Sequence, residues 1–381
     1  MELAPLSSVL PREVPLKLPS VKFGKKVMLT SPFSVLGKVP PEALFLMLWY
    51  VTLGVLLISG VVVGVLVWKY QNRLVRIYNP SFLDPYTPPK QFGFTSNPEF
   101  ISKVKQGESI AKTKSLVICG LIRNRSSRVS ELEERCGLFA KYFGTIIVLV
   151  VENDSNDQTR EKLLQWVKRA PLLGYQVEVL GCQINSKRCN LKTRSGGGGT
   201  PETIGHSITQ QRLDKMAALR NKYVDTIRAR YSNFDLVLVW DLDTSGSLYI
   251  DGVLSSVAEL ETYPEMGGIC AKGIYKYPVV GEIYYDTFAH SEDGLQSIVE
   301  TLGGGKLVKQ LSTATWAKLF WPTTPIHKVK RCFSGATLYR TKVLLDSSYA
   351  TRNLECEHDS ISASTNMAVN QNMINYILEN I

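Results

Sequence analysis

Residues 115–152 read SLVICGLIRNRSSRVSELEERCGLFAKYFGTIIVLVVE, and the order of patterns in this stretch decides the fold. SLVICGLI (115–122) and TIIVLVVE (145–152) are unbroken apolar runs. Alternation would mark a strand with one wet face; continuous apolarity marks a strand covered on both faces, as in a parallel sheet. Between them, residues 130–143 carry Leu132, Cys136 and Phe139-Ala140 at helical spacing. Parallel strands need a crossover of this length. Working outward, a second helix is expected around Leu163, Leu164 and Trp166-Val167, then a third strand, YQVEVLG (175–181). Residues 182–205 break the pattern: Cys182 and Cys189 bracket NSKR, and SGGGGT (195–200) has no preferred conformation. A long helix follows over 207–230, then the strand FDLVLVWDLD (234–243). The alternation predicts an α/β domain with a mostly parallel sheet and helices on both faces.

Towards the amino terminus the chemistry changes. Ala43 to Trp68 carries no charge over 26 residues. As a helix it would be about 39 Å long, enough to span a hydrocarbon core of roughly 30 Å with tilt. Trp49, Tyr50, Trp68 and Tyr70 lie near its two ends, where interfacial aromatics sit. The expected organisation is a flexible Pro-rich tail (1–42), a transmembrane helix (43–68), a stem (69–112) and a catalytic-type domain (113–381). The whole chain of 381 residues has net charge +10. Residues 1–80 hold nine Lys/Arg against three acids, +6, leaving +4 for the rest. The positive excess flanks the apolar segment, so the acidic partner it implies is a membrane surface and not nucleic acid. Basic residues lie on both sides of the span (Lys22, Lys25, Lys26, Lys38; Lys69, Arg73, Arg76), so charge does not set its orientation.

Ligands of parallel α/β sheets bind beyond the carboxyl ends of the strands. Three such ends carry polar clusters: Arg123-Asn124, Glu152-Asn153-Asp154 and Asp241-Leu242-Asp243. In a strand, Asp241 and Asp243 would project to the same side. Two carboxylates so placed can hold a hard cation that bridges a diphosphate.

Strand–RN, strand–ENDSNDQT, helix–MAALRN and strand–VWDLD, in that order, resemble the GT-A glycosyltransferases. More narrowly they are similar to the fungal capsule-associated α-1,3-mannosyltransferases and related sequences of large DNA viruses, over about Ser115 to Asn366. The resemblance implies a GT-A domain on a membrane anchor, Mn2+ (or Mg2+), a GDP- or UDP-sugar donor and a glycan or glycoprotein acceptor. It implies a hexosyltransferase, and in its narrower form an α-mannosyltransferase, with the domain in the lumen of the Golgi or ER; a cytoplasmic-facing domain stays open. Position by position, it places Asn124, Glu152 and Asp154 at the nucleotide, Arg220 at the diphosphate, Asp241 at the ribose or metal and Asp243 on the metal. In LECEHDS (354–360) it makes His358 a third metal ligand and Glu355 or Glu357 the acceptor-side carboxylate, a general base if the enzyme inverts. CFSGATLYR (332–340) resembles the small-residue strand that lines an acceptor pocket.

Two other classes compete. A nucleotidyltransferase would use a similar sheet and metal carboxylates, but GLIRNRSS follows the first strand where a Gly-rich phosphate loop is expected. A non-catalytic membrane adaptor would tolerate loss of the Asp-x-Asp pair, and both aspartates are present. His206, His290 and His327 show no metal-ligand spacing and receive no role. Asn124-Arg125-Ser126 and Asn153-Asp154-Ser155 are glycosylation sequons at strand ends where a glycan would obstruct a donor.

Overall fold

The structure, a computed structural model, describes residues 41–75, 98–153, 155–181, 209–277, 281–285, 287–292 and 325–378. The Pro-rich tail, most of the stem and the 182–205 stretch lie outside these residues. Two units are described separately, divided at Tyr70.

Helix α1 (Pro41–Val75) belongs to the first unit as far as Tyr70. Over 45–61, where its side chains are described, Phe45, Trp49, Tyr50, Leu56 and Ile58 are exposed. Among the described residues no helix is long and apolar enough to cross a membrane. The expected span 43–68 extends beyond these described side chains at both ends.

The second unit opens with α2 (Pro98–Ala111), inside the stretch expected to be stem. That expectation is corrected here: Phe100 and Ala111 are buried, and α2 packs on α6 (Ile250–Thr262). The contact is close enough to need glycine, because a Cβ on Gly107 would lie 1.8 Å from the Leu254 carbonyl oxygen. The helix was hidden by its weak apolar stripe, which Lys103, Lys105 and Glu108 interrupt.

Among the described residues ten strands form one sheet. They are β1 (Ser115–Ile122), β2 (Thr145–Glu152), β3 (Gln176–Leu180), β4 (Leu236–Trp240), β5 (Ser245–Leu248), β6 (Met266–Tyr277), β7 (Gly281–Tyr284), β8 (Ile326–Val329), β9 (Ala336–Arg340) and β10 (Asn366–Leu378). The main path is β3-β2-β1-β4-β9-β6-β10-β5. β3, β2, β1 and β4 are parallel, as the alternation of strands and helices predicts, and the crossovers include α3 (Val129–Phe139), α4 (Thr159–Arg169) and α5 (Gln210–Arg230). The other half departs from expectation. β9 is antiparallel to both neighbours, and β5, β7 and β8 pair antiparallel. The sheet is therefore mixed rather than mostly parallel.

Alternate residues along the strands feed two cores. Leu116, Ile118 and Leu238 pack with α3, α4 and α6 on one face. Val117, Cys119, Val237 and Val239 pack with Tyr223, Val224 and Ile227 of α5 on the other. The second face is completed by α7 (Thr341–Leu345) and α8 (His358–Ser362), through Leu344 and Ile361. Thr209 caps α5 by accepting from the Arg212 N–H.

Candidate functional site

Because β1, β2 and β4 run parallel, their carboxyl ends reach one edge of the sheet, and the loops there are tied together. Asn124 follows β1 in a left-handed conformation, φ 50°. Its N–H donates to Ser155 Oγ at 2.9 Å, and its Oδ1 accepts from the Asn156 N–H at 2.9 Å. Arg125 Nε donates to the Asp243 carbonyl at 2.8 Å, and Arg128 reaches the Thr244 carbonyl at 3.3 Å. The loop after β1 therefore holds both the loop after β2 and the chain after β4. Glu152 is fully buried: one oxygen accepts from the Ser155 N–H at 2.5 Å, the other from Arg160 at 3.0 Å. Its carboxylate shapes the loop from below. Asp154 lies outside the described residues.

Arg220 forms the centre of the site. It is 3% exposed. Its Nη2 donates to Asp241 Oδ1 at 3.1 Å and its Nε to Glu357 Oε1 at 3.1 Å. The guanidinium lies 5.1 Å from the Phe333 ring centre and 5.8 Å from that of Tyr349. His358 stacks on Phe333 with centroids 3.5 Å apart and meets Tyr349 edge-on at 5.3 Å. One buried cation thus joins the end of β4 to the chain entering α8. Such a guanidinium retains its charge, because two carboxylates replace the lost water.

Asp241 is fixed from its backbone as well, its N–H donating to the Gly335 carbonyl at 2.9 Å. Gly335 has φ +74°, and a Cβ there would lie 2.6 Å from Asn375 Nδ2. Burial pushes the Asp243 carboxyl above the ordinary carboxylate range, against the lowering pull of Arg125 and Arg220. Burial also holds the His358 imidazole well below its usual pKa, and Arg220 adds to the effect. Neither His358 ring nitrogen has a hydrogen-bond partner among the described residues. Glu355 is exposed, two residues before the buried Glu357.

The expected three-ligand metal set, Asp241, Asp243 and His358, does not come together. Among the described residues no group of three or more His, Cys, Asp or Glu could hold a metal ion. The reason is visible: Asp241 faces Arg220, and His358 lies flat against Phe333. Asp243 follows β4 as a half-buried carboxylate, and its backbone carbonyl is held by Arg125.

Sequence reasoning missed Phe333, Tyr349 and Arg125. Aromatic residues inside apolar stretches carry no mark of what they stack on. It also missed a second cluster. Glu292 accepts from His290 Nε2 at 2.6 Å and pairs with His327 Nε2 at 2.9 Å. Burial alone would raise the Glu292 pKa; the two imidazoles outweigh it and hold the carboxyl well below its usual range. Nothing in the spacing of these residues announces the pairing.

No protein-family model matches this chain, and no curated protein matches it. Several solved structures share similarity. TarS of S. aureus is 16% identical over 70% of this chain, with TM-score 0.38. The mannosyltransferase PcManGT from Pyrobaculum calidifontis, solved with GDP-Man and Mn2+, is 12% identical over 75%, with TM-score 0.36. Mannosyl-3-phosphoglycerate synthase from Rubrobacter xylanophilus is 12% identical over 76%, with TM-score 0.38. The matched region spans 37% of TarS and 66% of PcManGT.

Proposed function

We propose that the chain is a metal-dependent glycosyltransferase of GT-A type that moves a sugar from a GDP- or UDP-linked donor to a glycan or glycoprotein acceptor. One observation carries this reading: three parallel strand ends are laced into a single edge, with Asp241 and Asp243 at its centre and Arg220 behind them. The order of motifs in the sequence supports it.

The residues divide the work. The loops after β1 and β2, cross-linked through Asn124 and Ser155, form the nucleotide side, and Glu152 keeps that wall in shape. Asp243 is the residue best suited to hold Mn2+ or Mg2+, with Asp241 beside it. The cation would neutralise the charge that develops on the departing diphosphate. Arg220 orients Asp241 and ties it to Glu357, so the donor carboxylates and the acceptor-side segment share one counter-charge. Glu355, exposed at the approach to α8, is the carboxylate free to meet an acceptor hydroxyl. Transfer of a mannosyl group is the narrower reading, supported by the sequence resemblance alone.

Residues 43–68 serve as a single membrane anchor in this reading. The domain faces an oxidising lumen, which suits the disulfide between Cys270 of β6 and Cys332 before β9. Incubating the detergent-solubilised protein with a panel of nucleotide sugars and Mn2+ tests the activity. The expected result is chelator-sensitive release of nucleoside diphosphate from one donor. No release from any donor, with acceptors supplied, contradicts it.

A further inference from the structure

A second charged group sits on the same sheet without a role in this scheme. Lys272 of β6 is 9% exposed, and among the described residues no acceptor or carboxylate pairs with it. Its side chain is largely withdrawn from water, and an anion beside it would favour the charged form. Its place is informative. β9 pairs with β4 at Trp240↔Ala336 and with β6 at Cys270↔Thr337. Continuing both ladders brings Asp241, Gly335 and Lys272 side by side, with the Asp241 N–H bonded to the Gly335 carbonyl. Neighbouring strands are about 4.8 Å apart, so the Asp241 and Lys272 backbones are about 10 Å apart. Val237, Val239 and Cys270 all belong to the face covered by α5. Side chains repeat every two residues, so Asp241 and Lys272 belong to that face too. Gly335 between them has no side chain.

We propose that Lys272 is the counter-charge for an oxyanion, a phosphate or a carboxylate, carried by the acceptor that this site takes beside its donor. The word acceptor rests on the glycosyltransferase reading; the oxyanion does not. The sheet order argues against the donor diphosphate as the source. Lys272 lies on the far side of β4 from β1 and β2, whose loops make the nucleotide side. Burial lowers the Lys272 pKa to about 8, so the amine is still mostly protonated at neutral pH and would gain from an anion.

Acylation of Lys272 in the full-length protein, followed by mass spectrometry, tests the proposal. Inorganic phosphate or a small dicarboxylate should slow labelling of Lys272 by about tenfold relative to chloride at equal ionic strength, the effect expected of one charge-assisted contact. K272M should fold, melt no lower than wild type and lose phosphate binding by calorimetry. Three results would overturn the proposal. One is protection only by nucleoside diphosphate with Mn2+, which assigns Lys272 to the donor. Another is no protection by any anion. The third is a lower melting temperature for K272M, which means a counter-charge within the chain. If phosphate protects Lys272 while nucleoside diphosphate fails to bind with Mn2+, the oxyanion site stands and the glycosyltransferase reading falls.

Discussion

Removing Arg220 would leave Asp241 and Glu357 without their shared cation, and Glu357 is 6% exposed. Breaking a buried pair by deleting one partner costs about 3–5 kcal/mol. R220M should therefore lower the melting temperature by on the order of 10 °C, given a few degrees per kcal/mol for a domain of this size. An unchanged melting curve would show that the guanidinium is not the strut described. His358 gives a pH test whose sign follows from its depressed pKa. The unfolded chain takes up a proton near pH 6.5 and the folded chain does not, so stability falls as pH drops below about 6.5, by up to roughly 1.4 kcal/mol per pH unit. H358F should flatten this part of the difference between pH 7 and pH 5; parallel stability curves for the two proteins would contradict a buried neutral imidazole. Arg220, Asp241, Glu357 and His358 were all legible in the sequence as candidates. Their mutual arrangement was not, because the bonded partners are 21 and 137 residues apart.

Strands β1 and β2 are legible from sequence to the residue, because unbroken apolar runs have one use in a domain of this kind. The mixed half of the sheet is not, since nothing in the sequence shows that β9 runs antiparallel to both neighbours while β10 runs parallel to β6 and antiparallel to β5 and β8. Helix α2 escaped for a different reason, its buried positions being few and one of them Gly107. Its packing on α6 yields a truncation test. A chain beginning at Pro98 should fold as a soluble unit, whereas one beginning at residue 113 should expose the α6 surface and aggregate. G107V should destabilise by about 1–3 kcal/mol as an overpacked contact. Equal behaviour of the two truncations in urea unfolding would mean that α2 contributes nothing to the domain.

At the scale of the whole chain, the covalent link between β6 and the segment before β9 closes a loop of 62 residues. Peptide mapping without reductant should find Cys270 joined to Cys332 and Cys119, Cys136 and Cys356 free. C270A/C332A should cost roughly 2–4 kcal/mol; full reduction of both cysteines in protein isolated from its native membrane would contradict the lumenal placement. The apolar stretch 43–68 and the basic residues around it are legible from composition, whereas the disulfide was not, because seven cysteines leave the pairing open. The most direct test of the proposed chemistry is calorimetric binding of nucleoside diphosphate to wild type and D243A, each with Mn2+ and with chelator. The expected result is tight binding by wild type only when Mn2+ is present, with D243A reduced to the chelator level while keeping its fold. Equal Mn2+-dependent binding by the two proteins would show that the Asp243 carboxylate does not hold the metal and that the strand-end site works by other chemistry.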